Sequence, residues 1–177
     1  MQKFQNLMGE RIQLVKVSMS GLDDVHEYST MPEFFTYFEY KSFKSKKQTK
    51  KFLENLMNSE SDKFHSWFIQ LKEGKNIGTF ILRDVNFKRG SCEITYGISP
   101  KYWEMGYFQE SLKLVKNYLF EKLKFHRISA KVHVENSKSV SGLKKMGFKY
   151  EGKLKDFLCD EDGKRSDVVL LGILNKK

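Results

Sequence analysis

Three short stretches carry residues whose types and spacing can do chemistry. In the first, CEITYGISP is stopped by Pro100, the loop Lys101-Tyr102-Trp103-Glu104-Met105 follows, and Gly106 opens a helical stripe of Leu112, Val115, Leu119, Phe120 and Leu123. A helix start reached this way turns its unpaired N–H groups outward, where they bind phosphate oxygens, and a glycine there lets backbone approach an anion closely. The second stretch is Asn136-Ser137-Lys138-Ser139, which offers an amide, hydroxyls and a cation just before a short helix. Asn and Ser are also good helix-start residues, so a purely structural reading competes. The third is the strand itself, where Cys92, Ile94, Tyr96 and Ile98 alternate with Glu93, Thr95 and Gly97. Glu93 and Thr95 therefore share a face. A carboxylate there can take a proton or serve as a salt-bridge partner.

Other chemistries find no support. His26, His65, His126 and His133 show no metal-ligand spacing, and seven residues put His126 and His133 on opposite faces of one strand, so no metal is expected. Cys92 and Cys159 form no CxxC pattern and read as free thiols. Neither a GxSxG elbow nor a GxGxxG loop is present. Ser141-Gly142-Leu143-Lys144 fits S-x-x-K, but its companion elements are missing and a helix already accounts for it.

The elements that must position these stretches read as one continuous α/β unit over residues 1–177. A first strand lies within Glu10–Val17, and Ser20–Ser29 looks helical. A second helix runs over Lys46–Met57, because Ser45 and Gln48 form a capping box and Phe52, Leu53 and Leu56 recur at helical spacing. Phe64–Leu71 and Ile77–Arg83 flank a turn and read as a hairpin. After the central strand and the Gly106 helix, His126–Val134 alternates with Ile128, Ala130, Val132 and Val134 on one side. Ser137–Met146 is a short helix stopped by Gly147, and Phe148–Leu154 with Ser166–Leu174 close the fold as an antiparallel pair. The order implies a mixed sheet flanked by helices.

The chain has 177 residues, 40% hydrophobic and 14% aromatic, enough for one real core and too few for two. No apolar run approaches a membrane span, and the start MQKFQNLMGERIQ lacks a signal-peptide core, so a cytoplasmic protein is expected. The net charge of +10 attracts phosphates without choosing their source. Lys41–Lys51 holds six Lys with only Phe43 interleaved, which reads better as a solvated helix start than as a nucleic-acid site.

Three ordered blocks, ITYGISPKYWEMGYFQESL, HRISAKVHVENSKSVSGLKKMGF and EGKLKDFLCDEDGKRSDVVLLGIL, resemble the GNAT superfamily of acetyl-CoA-dependent N-acetyltransferases. The resemblance is to its ribosomal-protein N-terminal acetyltransferase-like (RimJ/RimL-type) branch and spans nearly the whole chain. It implies a mixed, mostly antiparallel central sheet, splayed in the middle and flanked by about four helices. It implies that backbone N–H groups of Met105, Gly106, Tyr107, Phe108 and Gln109 bind the CoA pyrophosphate. By the same resemblance, Gly97, Ile98 and Ser99 pair with the pantetheine arm and supply an oxyanion donor. Glu93 is implied as the base, Asn136 as a holder of the cofactor arm, Ser139 as a hydroxyl near the sulfur, and Lys138 and Lys144 as partners of the 3′-phosphate. The chain departs from the family pattern at Trp103, Glu104 and Phe108, the last replacing a small residue and adding bulk beside the phosphates. Leu143 stands where many relatives carry a tyrosine acid.

The implied activity is acetyl transfer from acetyl-CoA to a primary amine of a small molecule, an amino sugar or a protein N-terminus. The implied partners are acetyl-CoA and that amine, with no membrane and no nucleic acid, and a homodimer is compatible. A strongly basic chain weighs slightly against polyamines. A non-catalytic CoA-binding module on the same fold and a basic nucleic-acid-binding protein are the competing classes.

Overall fold

A computed structural model describes residues 4–176. One sheet of eight strands runs in the order β1-β2-β3-β4-β5-β6-β8-β7. The strands are β1 (Leu7–Met8), β2 (Ile12–Lys16), β3 (His65–Leu71), β4 (Asn76–Asn86), β5 (Ser91–Ile98), β6 (Arg127–His133), β7 (Lys149–Cys159) and β8 (Arg165–Leu174). Four α-helices accompany them: α1 (Leu22–Ser29), α2 (Lys46–Ser59), α3 (Tyr107–Asn117) and α4 (Ser137–Lys145).

Two cores separate the layers. On one face Leu112 and Val115 of α3 and Leu143 of α4 pack on Ile94, Ile98, Ala130 and Val132. On the other, Val25 and Tyr28 of α1 and Leu53 and Leu56 of α2 pack on Phe68 and Ile81. Alternation along β4 and β5 feeds both layers, so each large aliphatic side chain contributes about 1.5–3 kcal/mol of burial on its own side.

The expected elements form with shifted ends. Ser45 caps α2 by accepting from the Gln48 N–H at 3.4 Å, while the Gln48 side chain reaches back to the Lys44 N–H at 2.6 Å, one residue beyond the usual reciprocal partner. Strand β1 is a two-residue addition against Leu14 and Gln13, too short to leave a periodic pattern. The stripe that begins α3 does not remain α-helical, because Tyr118–Lys122 widens into a π-turn whose Leu123 N–H reaches Tyr118 O at 3.0 Å. Strand β6 stops at His133, and Val134, expected on its apolar side, is exposed.

The central feature is where β5 and β6 part. Strand β5 stays paired with β4 through Ile98. With β6 it pairs in parallel only at Ser91–Arg127, Cys92–Ile128 and Glu93–Ser129. Meanwhile β6 remains paired with β8 as far as His133. Each strand is thus held by its outer neighbour, and the inner edges of Ile94–Ile98 and Ala130–His133 open as a wedge.

Candidate active site

The mouth of the wedge is built by α3. Gly106 is its N-cap at φ +82°, a left-handed conformation that a branched residue adopts only with strain, and among the described residues no side chain caps the helix. The first turn therefore presents its N–H groups to any anion at the mouth. The loop before it is tied down at two points. The Trp103 indole donates to Ile98 O at 2.7 Å, and the Arg11 guanidinium donates to Met105 O at 2.9 Å. Arg11 also meets Glu110 at 2.9 Å, and Glu110 accepts from the backbone N–H groups of Arg11 at 2.8 Å and Ile12 at 3.3 Å. Burial pushes the Glu110 carboxyl up, but these donors outweigh it and hold it below the usual carboxylate range. Sequence reasoning missed Arg11 and Glu110, since partners 99 positions apart leave no local pattern.

The wedge wall is β5 backbone. The Ser99 N–H is spent on Ile77 O of the neighbouring strand at 2.7 Å. Successive residues of a strand alternate sides, so the N–H and C=O of Ile98 point into the wedge. Trp103 takes that carbonyl from the same side. Of Gly97, Ile98 and Ser99, it is Ile98 that offers a donor there. Gly97 turns its Cα to the opposite face, where an added Cβ would come within 2.7 Å of the Phe34 ring.

The far lip is the start of α4. Asn136 is its N-cap and accepts from the Ser139 N–H at 3.1 Å, the structural role its residue type allows. The Ser139 hydroxyl lies 2.6 Å from the Tyr96 hydroxyl, which reaches it across the wedge from β5. Burial pushes the Tyr96 phenol well above its usual range, so it stays protonated. Lys138 pairs with Glu104 across the mouth, both side chains exposed, and Lys144 is exposed on the outer flank of α4.

Phe108 does not lie where its replacement of a small residue suggested. Its ring packs on Tyr96 at 4.4 Å between centroids and under Gly142, where a Cβ would meet it at 2.9 Å. The ring fills the seam between α3 and α4, and Gly142 is what makes room for it.

The wedge gathers Ile98, Met105–Gln109, Asn136, Lys138 and Ser139, and leaves Glu93 apart. Glu93 stands at the closed foot, opposite Ser129, and its carboxylate pairs with Lys131 at 2.5 Å. Five residues of strand, roughly 16 Å, separate it from Ile98. This is the salt-bridge alternative that its position in the strand left open. The aromatic segment around Met31–Phe38 covers the opposite face of β4 and β5, serving as core at Phe35 and as cavity wall at Phe34 and Phe38.

No helix among the described residues is long and apolar enough to cross a membrane. Residues 11–149 match the acetyltransferase (GNAT) domain family. Over 98% of both chains the protein is 26% identical to an uncharacterized N-acetyltransferase, p20, of Bacillus licheniformis. It is 27% identical to a spermidine N(1)-acetyltransferase of Vibrio cholerae over 96% of each. A GNAT-family acetyltransferase structure from Bacillus anthracis superposes with a TM-score of 0.85 at 25% identity, covering 98% of this chain and 100% of that one. The Vibrio cholerae spermidine N-acetyltransferase in complex with CoA and spermine superposes at 0.78, with 21% identity over 93% and 96% of the chains. Sequence match, strand order and splay agree: the chain belongs to the GNAT family of acetyltransferases.

Proposed function

We propose that the chain moves the acetyl group of acetyl-CoA to a primary amine by direct attack on the thioester. The observation that carries this reading is the wedge itself, with an outward N–H at Ile98, an uncapped helix start at its mouth and a paired hydroxyl at Ser139 inside. These groups fit a long thioester with a phosphate end. The α3 N-terminus would hold the pyrophosphate, with Lys138 released from Glu104 to meet the remaining phosphate charge. The inner edge of β5 would hold the pantetheine arm as a strand-like partner.

Acetyl-CoA supplies an activated carbonyl whose sulfur can leave. The amine nitrogen forms a bond to the carbonyl carbon, the carbon–sulfur bond breaks, and the amine proton departs through water. The Ile98 N–H receives the negative charge that develops on the carbonyl oxygen. Tyr96, kept protonated by burial, donates to Ser139 and turns the serine's own hydrogen toward the leaving thiolate, which solvent then protonates. Glu93 holds the foot of the wedge through Lys131.

The test is thiol release from acetyl-CoA across a panel of amines, run beside calorimetric binding of CoA. Turnover with at least one amine class, reduced in Ser139→Ala at unchanged CoA affinity, is the expected result. Tight CoA binding without transfer to any amine would replace this reading with a non-catalytic CoA-binding module.

A further inference from the structure

The face of β4 and β5 opposite α3 and α4 carries a partly enclosed cavity of about 50 Å³ that runs from Gly97 toward Arg83. At the Gly97 end its walls are the rings of Phe34 and Phe38, stacked at 5.6 Å. Arg83 marks the other end, while the Tyr28 ring packs on Phe34 at 4.9 Å between centroids. The Tyr28 hydroxyl is buried and has no hydrogen-bond partner among the described residues. The half-buried Arg83 guanidinium forms no ion pair among the described residues and only faces the Phe64 ring at 5.7 Å. Its register neighbour Glu93 is engaged by Lys131. Among the described residues no Asp or Glu lines the cavity.

Resting on the acetyl-transfer reading, we infer that this cavity is the acceptor pocket and that it selects a monoamine bearing an oxygen acceptor, a carboxylate first, on a slim apolar chain. A half-buried guanidinium without an anion is costly, and a carboxylate accepts two of its N–H groups at once. The Phe34 and Phe38 rings attract the ammonium form of the amine to the end of the cavity beside the strand that carries Ile98, and the neutral fraction attacks the thioester held there. A polyamine would bring a second ammonium against Arg83 with no carboxylate in the cavity to offset it. Its absence separates this pocket chemically from one built for polycations.

The experiment compares 5-aminovalerate, n-butylamine and spermidine as acceptors for wild type, Arg83→Ala and Arg83→Lys. Wild type is expected to favour 5-aminovalerate. Arg83→Ala should raise its KM roughly ten- to a hundredfold while leaving KM for butylamine and for acetyl-CoA within about twofold. Arg83→Lys should recover part of the loss. Should no amine be acetylated, calorimetry of 5-aminovalerate binding to the CoA complex decides the question, with wild type binding and Arg83→Ala not. Preference for spermidine in wild type, or equal binding of 5-aminovalerate by wild type and the folded Arg83→Lys and Arg83→Ala variants, would overturn the inference without touching acetyl transfer.

Discussion

Tyr96 and Ser139 lie 43 positions apart, and their contact is the part of the site that local pattern could not reveal. In the strand, Tyr96 reads only as one of the alternating residues on the apolar side. Asn136 and Ser139 were legible from type and spacing because a cap and a ligand use the same chemistry, and the fold shows Asn136 serving the cap. Glu93 was legible as a carboxylate on the face away from the apolar set, but its ion pair with Lys131 depends on a neighbouring strand. The hydroxyl pair leads to a prediction. Tyr96→Phe keeps the ring on Phe108 and removes only the donor, so kcat should fall roughly tenfold while KM for acetyl-CoA stays unchanged. Ser139→Ala should cost at least as much, and the double variant no more than Ser139→Ala, because both act through one hydrogen. Additive losses in that cycle would show that Tyr96 acts only by packing.

At the scale of elements, the strand-loop-helix junction was readable because Pro100, Gly106 and the following stripe are local signals. Its fastening was not. Arg11 comes from the β1–β2 turn and secures both the Met105 carbonyl and Glu110, so the phosphate end of the site depends on a segment remote in sequence. The consequence is a pH dependence with a definite sign. Because the folded Glu110 carboxyl titrates below its unfolded value, its contribution is present above the ordinary carboxylate pKa of about 4.3 and is lost as pH falls through the folded value. Thermal unfolding from pH 6 down to pH 3 should therefore fall less steeply for Glu110→Gln than for wild type below about pH 4.3. Parallel curves would show that the pair adds nothing to the folded state. Gly106→Val tests the same junction directly. It should strain the loop by about 1–2 kcal/mol at φ +82° and weaken CoA binding with the fold retained, as read by calorimetry and circular dichroism.

Across the whole molecule, two layers of helices hold one sheet, and the sheet opens only where β5 and β6 are each retained by an outer neighbour. The class, a mixed sheet flanked by helices, followed from the order of elements. The splay itself entered from family resemblance, since no residue of β5 or β6 announces where pairing stops. The net charge of +10 adds a long-range attraction for a phosphate-bearing substrate that should weaken as salt rises. The claim on which the whole account rests is that the thioester lies along the inner edge of β5 with its oxygen at Ile98. Amide hydrogen exchange, followed by NMR with and without acetyl-CoA, reads that edge residue by residue. The account predicts strong new protection at Ile98 and at Tyr107 and Phe108, and little change at Ser99, whose N–H is already held by Ile77. Saturating acetyl-CoA that leaves Ile98 and the α3 start exchanging as in the free protein would contradict it.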